Sequence, residues 1–328
     1  MSKYSYSAQM RADLAGGTLD IWPFYLMVEN SVTIQLALSL KCSSSLVVNK
    51  NSNRIVLKTG GQSFEYNSLK DFLDVKDEKF ALLQSIVRHF KPSSGFQLEW
   101  SSDSPQGGGL GASSCLAVLW INCFSKWLKH KLDFYELLYL CRDLEAQAMG
   151  TFAGFQDYII PLQSISESLK VKKFINIIYW SALKPRIATL ELLKSMKENL
   201  VLIDTGISHH SGRSNWRGIQ SYLEGSDFLV QCRDIALDMA KACREENFQK
   251  WPELFNRECV LRKKFHKGYI PKEMEEMQKT WFASAGVKAF KMMGAGGGGC
   301  ALLWTEHPQK TLKVCAEKNI RVLTISDV

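Results

Sequence analysis

Four stretches of the sequence place glycine, hydroxyl and charged residues at spacings that chemistry can use. The densest is Pro105-Gln106-Gly107-Gly108-Gly109-Leu110-Gly111-Ala112-Ser113-Ser114. Consecutive glycines let a backbone come close to something bulky, and the apolar run over 112–128 predicts a long helix directly after them. A helix N-terminus carries unbonded N–H groups and a partial positive charge, so loop and helix together would cradle a phosphate. Ser113 and Ser114 add hydroxyls that can cap the helix, touch a phosphate or ligate a hard cation. A flexible turn with a serine cap is the plainer alternative.

The second stretch is Arg11-Ala12-Asp13-Leu14-Ala15-Gly16-Gly17-Thr18-Leu19-Asp20. Two glycines between charged and polar residues suit a tight loop facing a ligand, and suit a surface turn equally. The third, Gly294-Ala295-Gly296-Gly297-Gly298-Gly299, is another candidate anion or backbone-contact loop. The fourth is Glu145 followed by Gly150, Gly154, Gln156 and Asp157. Its two carboxylates could share a cleft if a helix end and a loop separate them; a surface glutamate and a capping aspartate would look the same.

Other phosphate motifs are excluded or disfavoured. No G-x-x-x-x-G-K-[ST] run occurs, so there is no P-loop. Residues 107–112 and 294–299 satisfy a loose G-x-G-x-x-[GA] pattern, but a dinucleotide site needs a strand ending in an acid about 20 residues on. After the first loop that place is Asp133, which opens a helical pattern; after the second the chain nearly ends. His209 and His210 are adjacent, so on an extended chain they point to opposite faces and make a poor metal pair. Asp204 to Arg213 suits a substrate-side loop or a plain surface loop, and Arg213 would suit a phosphate already carried by a substrate.

These motifs need a scaffold. Residues 32–40, 43–49 and 54–58 read as strands, with Asn51-Ser52-Asn53 a turn between the last two. Phe80, Leu83, Val87 and Phe90 share a helical face that Pro92 ends, and 95–101 alternates as a strand. Helices are expected over 112–128, 133–149, 215–247, 250–265, 271–285 and 307–318. Strands are expected over 174–180, 200–204, 287–293, 300–304 and 320–325. Pro185 marks a plausible junction, giving domains 1–185 and 186–328. The pattern is α+β, with helices packed on largely antiparallel sheet.

Composition narrows the class. The chain has 328 residues, 46% hydrophobic and 23% charged, ordinary for a globular protein. Its net charge of +8 is dispersed; the densest basic run, Arg262-Lys263-Lys264 with His266 and Lys267, reads as a solvated helix face. No nucleic-acid partner is expected. The N-terminus has no apolar signal core, and no run approaches the roughly 20 apolar residues that span a bilayer, so no membrane partner is expected either. Nine scattered cysteines without a C-x-x-C pair read as small buried hydrophobes in a reducing compartment, and the expected location is cytoplasmic.

Taken in order, the four motifs resemble those of the GHMP kinases, the galactokinase, homoserine, mevalonate and phosphomevalonate kinase superfamily. Residues 105–114 match the family's central P-x-G-x-G-L-[GS]-[SA]-S-[AS]. Arg11 stands nine residues before Asp20, as in the sugar-kinase branch, and 294–299 resembles the third, glycine-rich motif. The branch most similar is the heptose-phosphate kinase and fucokinase-like group, with its D-L-A-G-G-x-x-D core and its E-x-x-x-x-G-x-x-x-G-x-Q-D run. Galactokinases carry G-E-H-T-D at 16–20, and mevalonate kinases carry lysine at 11. Ala112 replaces the first serine of the usual pair, and Tyr158-Ile159-Ile160-Pro161 replaces the residues that usually follow Gln-Asp; the second change bears on the substrate.

The resemblance implies a two-domain fold, an N-terminal domain like ribosomal protein S5 domain 2 and a ferredoxin-like C-terminal domain. It implies ATP-dependent phosphoryl transfer to a hydroxyl of a sugar or sugar phosphate, with Mg2+ as cofactor. A kinase of a non-sugar alcohol and a non-catalytic binding protein on the same fold are the alternatives. Asp157 would take the hydroxyl proton, and Arg11 would hold it as carboxylate and offset charge on the moving phosphoryl group. Pro105, Gly107, Gly108, Gly109, Leu110, Gly111, Ala112, Ser113 and Ser114 would bind ATP. Ser113 and Glu145 would hold the metal. Gly16, Gly17, Thr18, Asp20 and Gln156 would hold substrate, with Gly294, Ala295, Gly296 and Gly297 closing over the transferred phosphate. A monomer or a homodimer is expected.

Overall fold

The computed structural model describes residues 2–166, 174–191, 198–207 and 220–325. Its strands are β1 (Ser2–Ala15), β2 (Val32–Asn49), β3 (Ile55–Thr59), β4 (Gln62–Tyr66), β5 (Gly95–Ser102), β6 (Phe174–Tyr179), β7 (Arg186–Glu191), β8 (Leu200–Asp204), β9 (Val287–Met292), β10 (Cys300–Thr305) and β11 (Arg321–Leu323). Its helices are α1 (Phe24–Met27), α2 (Leu69–Leu73), α3 (Ala81–Phe90), α4 (Ala112–Trp127), α5 (Phe134–Met149), α6 (Gln156–Ile165), α7 (Phe228–Arg244), α8 (Trp251–Phe265), α9 (Lys272–Met277) and α10 (Pro308–Glu317). None of them is long and apolar enough to cross a membrane.

The chain divides into two compact units. The first takes in Met1–Met10, Lys41–Asp103 and Ala112–Lys170; the second takes in Arg11–Leu40, Ser104–Gly111 and Val171–Val328. Strands β1 and β2 contribute residues to both.

In the first unit, β3 and β4 form an antiparallel hairpin. β3 lies parallel to β5, and β5 pairs antiparallel with Cys42–Asn49 of β2. Helix α4 packs against α3, α5 and α6. Its residues Ser114, Cys115 and Ala117 through Ser125 are all buried, so it is wrapped on every side, which is why its sequence is apolar all round instead of striped. Helix α5 begins where Asp133 accepts from the amides of Tyr135 and Glu136 at 2.8 and 2.9 Å while the Glu136 carboxylate accepts from the Asp133 amide at 2.7 Å. That reciprocal cap fixes the start of the helix that carries Glu145.

In the second unit, Val32–Leu36 of β2 pairs antiparallel with β6, and β6 with β7. A separate four-stranded sheet has the order β11-β8-β10-β9, antiparallel throughout. Its core includes Ile203, Phe290, Met292 and Leu303, with Phe282 and Met274 packed against them. Helix α8 packs on α7 and on β9.

Several elements differ from the sequence reading. The helix expected over 215–247 is α7, starting at Phe228; Gly225, at φ +86°, ends a separate helical turn before it, and 215–219 lie outside the described residues. The segment 271–285 breaks after α9 into a π-helical turn, Gln278–Phe282. Strand β7, which begins directly after Pro185, has no counterpart in the sequence reading. All nine cysteines are buried and unpaired, as expected of small apolar residues.

The basic run is not a uniformly solvated face. Lys263 and Lys264 are exposed, but Arg262 is only 8% exposed and ion-paired inside the second unit.

Candidate functional site

Three of the four motifs meet inside the second unit. The Arg11 amide donates to the Leu110 carbonyl at 3.3 Å, and Arg11 Nη1 donates to the Gly109 carbonyl at 2.6 Å. The Cys300 amide donates to the Gly108 carbonyl at 3.0 Å. Three successive carbonyls of the glycine loop are therefore taken by protein donors. A planar trans peptide points its N–H opposite its carbonyl. The amides of Gly109, Leu110 and Gly111 are thus turned away from those donors, and none has a protein acceptor among the described residues. Successive amides of this kind, directly before the N-terminus of a helix, are suited to an anion.

The glycines serve protein packing as well as any ligand. Gly109, at φ +72°, sits so close to the third motif that a Cβ would lie 2.7 Å from the Met293 carbonyl oxygen. The sequence reading reserved that space for a bulky ligand; the protein's own backbone fills it. The third loop is held in turn by bonds from the Gly297 amide to the Tyr269 carbonyl at 2.7 Å, from the Gly299 amide to the Ile207 carbonyl at 2.9 Å, and from Thr205 Oγ1 to the Gly299 carbonyl at 2.6 Å.

The first motif forms a tight double turn. The Leu19 amide donates to the Gly16 carbonyl at 3.1 Å and the Ile21 amide to the Thr18 carbonyl at 3.2 Å. A Cβ on Gly16, at φ +83°, would fall on the Val32 carbonyl, so only glycine fits there. Asp20 and Arg11 are both buried in this unit.

The fourth motif is assembled in the first unit with the two serines. Ser113 Oγ donates to Glu145 Oε1 at 2.5 Å, Ser114 Oγ to Glu145 Oε2 at 2.7 Å, and the Tyr158 hydroxyl to the same Oε2 at 2.6 Å. Burial raises the Glu145 pKa above the usual carboxylate value; the three hydroxyl donors oppose it, and the Asp157 charge adds to it. Asp157 is half-buried in the first turn of α6, where a carboxylate favours the helix dipole, and Gln156 beside it is buried.

The donor set of this cluster fits a hard cation. No group of three or more His, Cys, Asp or Glu placed to hold a metal ion occurs among the described residues. Magnesium needs less: one or two protein oxygens, with phosphate oxygens and water completing the octahedron. The Ser113 hydroxyl points its hydrogen at Glu145 and so keeps its oxygen lone pairs available.

Tyr158 was missed by sequence reasoning, although it directly follows Asp157 in the fourth motif and is placed 13 residues after Glu145. His209, His210 and Arg213 lie outside the described residues.

Comparison with known proteins decides the family. The GHMP kinases N terminal domain matches residues 80–162, and the GHMP kinases C terminal domain matches residues 239–317. The chain carries both GHMP kinase domains. A D-glycero-alpha-D-manno-heptose 7-phosphate kinase of Campylobacter jejuni is 35% identical over 155 residues, 45% of this chain and 44% of that protein. A bifunctional fucokinase/GDP-fucose pyrophosphorylase of Arabidopsis thaliana is 22% identical over 317 residues, 92% of this chain and 30% of that protein. The matched part thus spans less than half the length of either relative. Among solved structures, a D-glycero-D-manno-heptose 1-phosphate kinase from Bacteriodes thetaiotaomicron superposes with a TM-score of 0.67 at 19% identity, covering 99% of this chain and 97% of that one. The two-domain α+β GHMP kinase fold expected from the motifs is therefore the fold of this chain.

Proposed function

We propose that the protein is an ATP-dependent kinase that phosphorylates a hydroxyl of a sugar or sugar phosphate of the heptose-phosphate or fucose type. The observation that carries this reading is the glycine loop: three successive carbonyls bound to protein, three amides turned away, and helix α4 starting at Ala112. The names of the Campylobacter and Arabidopsis relatives support a sugar acceptor.

In this reading Pro105, Gly107–Gly111 and Ala112–Ser114 hold the triphosphate. The acceptor oxygen attacks the γ-phosphorus, its bond forms as the bond to the β–γ bridging oxygen breaks, and ADP leaves. Asp157 takes the proton of the attacking hydroxyl, a role typically worth about 10²–10⁴-fold in rate. Arg11 offsets negative charge on the transferred group. Gly16, Gly17, Thr18 and Asp20 bind acceptor hydroxyls, with Gln156 beside the base, and Gly294, Ala295, Gly296 and Gly297 lie against the transferred phosphate. Ser113 and Glu145 hold Mg2+, which supplies charge neutralisation on the phosphate oxygens.

The test is ADP release with a panel of free hexoses, heptoses and their 1- and 7-phosphates, with magnesium present or chelated. The reading expects turnover with one member of the panel and none after chelation. No turnover with any sugar, or turnover with a non-sugar alcohol instead, overturns it.

A further inference from the structure

Four buried charges in the second unit have no part in the chemistry described so far. Lys291 Nζ lies 2.8 Å from Glu258 Oε1 and 3.4 Å from Asp13 Oδ2. Arg262 Nε donates to the same Glu258 oxygen at 2.7 Å, and its Nη2 donates to the Gly17 carbonyl at 2.7 Å. Each of the four residues is less than a tenth exposed. Burial disfavours the Lys291 ammonium, yet the neighbouring Asp13 and Glu258 outweigh it and raise its pKa.

Stability is a poor explanation for this arrangement. Buried ion clusters are often replaced by apolar side chains without loss. Asp13 Oδ1 and Glu258 Oε2 also find no hydrogen-bond donor among the described residues, which is a cost and not a gain. What the cluster does touch is the first motif, at Asp13 and at the Gly17 carbonyl. The Arg262 guanidinium also lies over the ring of Tyr269, 5.7 Å from its centre, and Tyr269 accepts from Gly297 of the third motif.

A second observation points the same way. Thr18, next to Gly17, has φ +87°, a conformation that a β-branched residue adopts only under strain. Such strain persists where surrounding structure holds it in place, and it gathers at functional sites.

We infer that the Asp13–Lys291–Glu258–Arg262 quartet is a positioning device that, through the Arg262–Gly17 bond, holds the strained Gly16–Asp20 turn in the shape that receives the phosphoryl acceptor. The acceptor part rests on the proposed function; the holding of the turn does not.

Arg262→Lys tests both. Lysine keeps the buried charge but has a single point donor in place of the fork that reaches Glu258 and Gly17 together. The Leu19 and Ile21 amides report on the turn directly by hydrogen exchange. In Arg262→Lys these two amides exchange about ten-fold faster while those of α8 and β9 keep their rates, as expected for one lost charge-assisted hydrogen bond. The acceptor KM rises by a similar factor and the ATP KM stays within about two-fold. Unchanged exchange at Leu19 and Ile21 in the folded variant overturns the positioning role; faster exchange with an unchanged acceptor KM overturns the link to the acceptor.

If the variant does not fold, the unmodified protein decides. Its Leu19 and Ile21 amides exchange as slowly as those of α8, and exchange as fast as at the Gly60-Gly61 hairpin turn overturns the inference. If no sugar is phosphorylated, the sugar reading fails while the exchange rates still decide the positioning role.

Discussion

The carbonyl oxygen of Met293 occupies the place a side chain on Gly109 would need: a Cβ there would lie 2.7 Å from it. The glycine loop and the third motif are therefore one packed unit of backbone, and a change in either deforms the surface that the amides of 109–111 present.

Gly109→Ala follows from that contact. It combines the clash with a φ of +72° that alanine adopts poorly, together costing about 1–3 kcal/mol locally. ATP affinity measured by calorimetry falls about ten-fold or more, because each 1.4 kcal/mol is a factor of ten, while circular dichroism is unchanged. Equal affinity in the variant contradicts the assignment of this loop to the triphosphate.

Glu145→Gln reads the buried carboxylate. An acid whose folded pKa is raised above its ordinary value, here 4.5, stabilises the fold below that value and loses this contribution as pH rises through the folded pKa. Glutamine does not titrate. The stability of Glu145→Gln relative to wild type therefore improves as pH rises from about 4.5 and levels off above the raised value. Chemical denaturation at several pH values checks this, and a difference that does not vary with pH contradicts it. The same variant requires more magnesium for half-maximal rate.

Lys291→Met leaves Glu258 and Asp13 buried without their ammonium. Removing one partner of a buried ion pair destabilises by about 3–5 kcal/mol. The double variant Lys291→Met/Glu258→Gln removes one charge of each sign and recovers much of that loss. Urea unfolding of Lys291→Met, Glu258→Gln and the double variant decides it; a double variant as unstable as the sum of the singles contradicts the pairing.

How much of this could be read from the sequence depended on the range of each interaction. The helix opening at Asp133, the apolar helix after Gly111 and the order of the glycine loops are local patterns, and they were legible. The contact between Gly109 and Met293 was not, because it joins residues far apart in the chain and glycine looks alike whether a ligand or a carbonyl faces it. Helix α6 was hidden by Pro161 inside a short segment, which concealed Tyr158. Arg262 and Lys291 were opaque for another reason. Charge alone predicts exposure, and only the tertiary arrangement shows that Glu258 and Asp13 keep them company in the interior.

The most direct test of the account is the turnover of Asp157→Asn on the sugar that the panel identifies. Asparagine keeps the size of the side chain and its hydrogen-bonding shape but cannot take the hydroxyl proton. The account predicts a fall in kcat of about 10²–10⁴-fold, with ATP affinity nearly unchanged because the triphosphate is held by the glycine loop. A variant that turns over at close to the wild-type rate contradicts it: Asp157 would then not be the base, and the reaction would rest on charge and positioning alone.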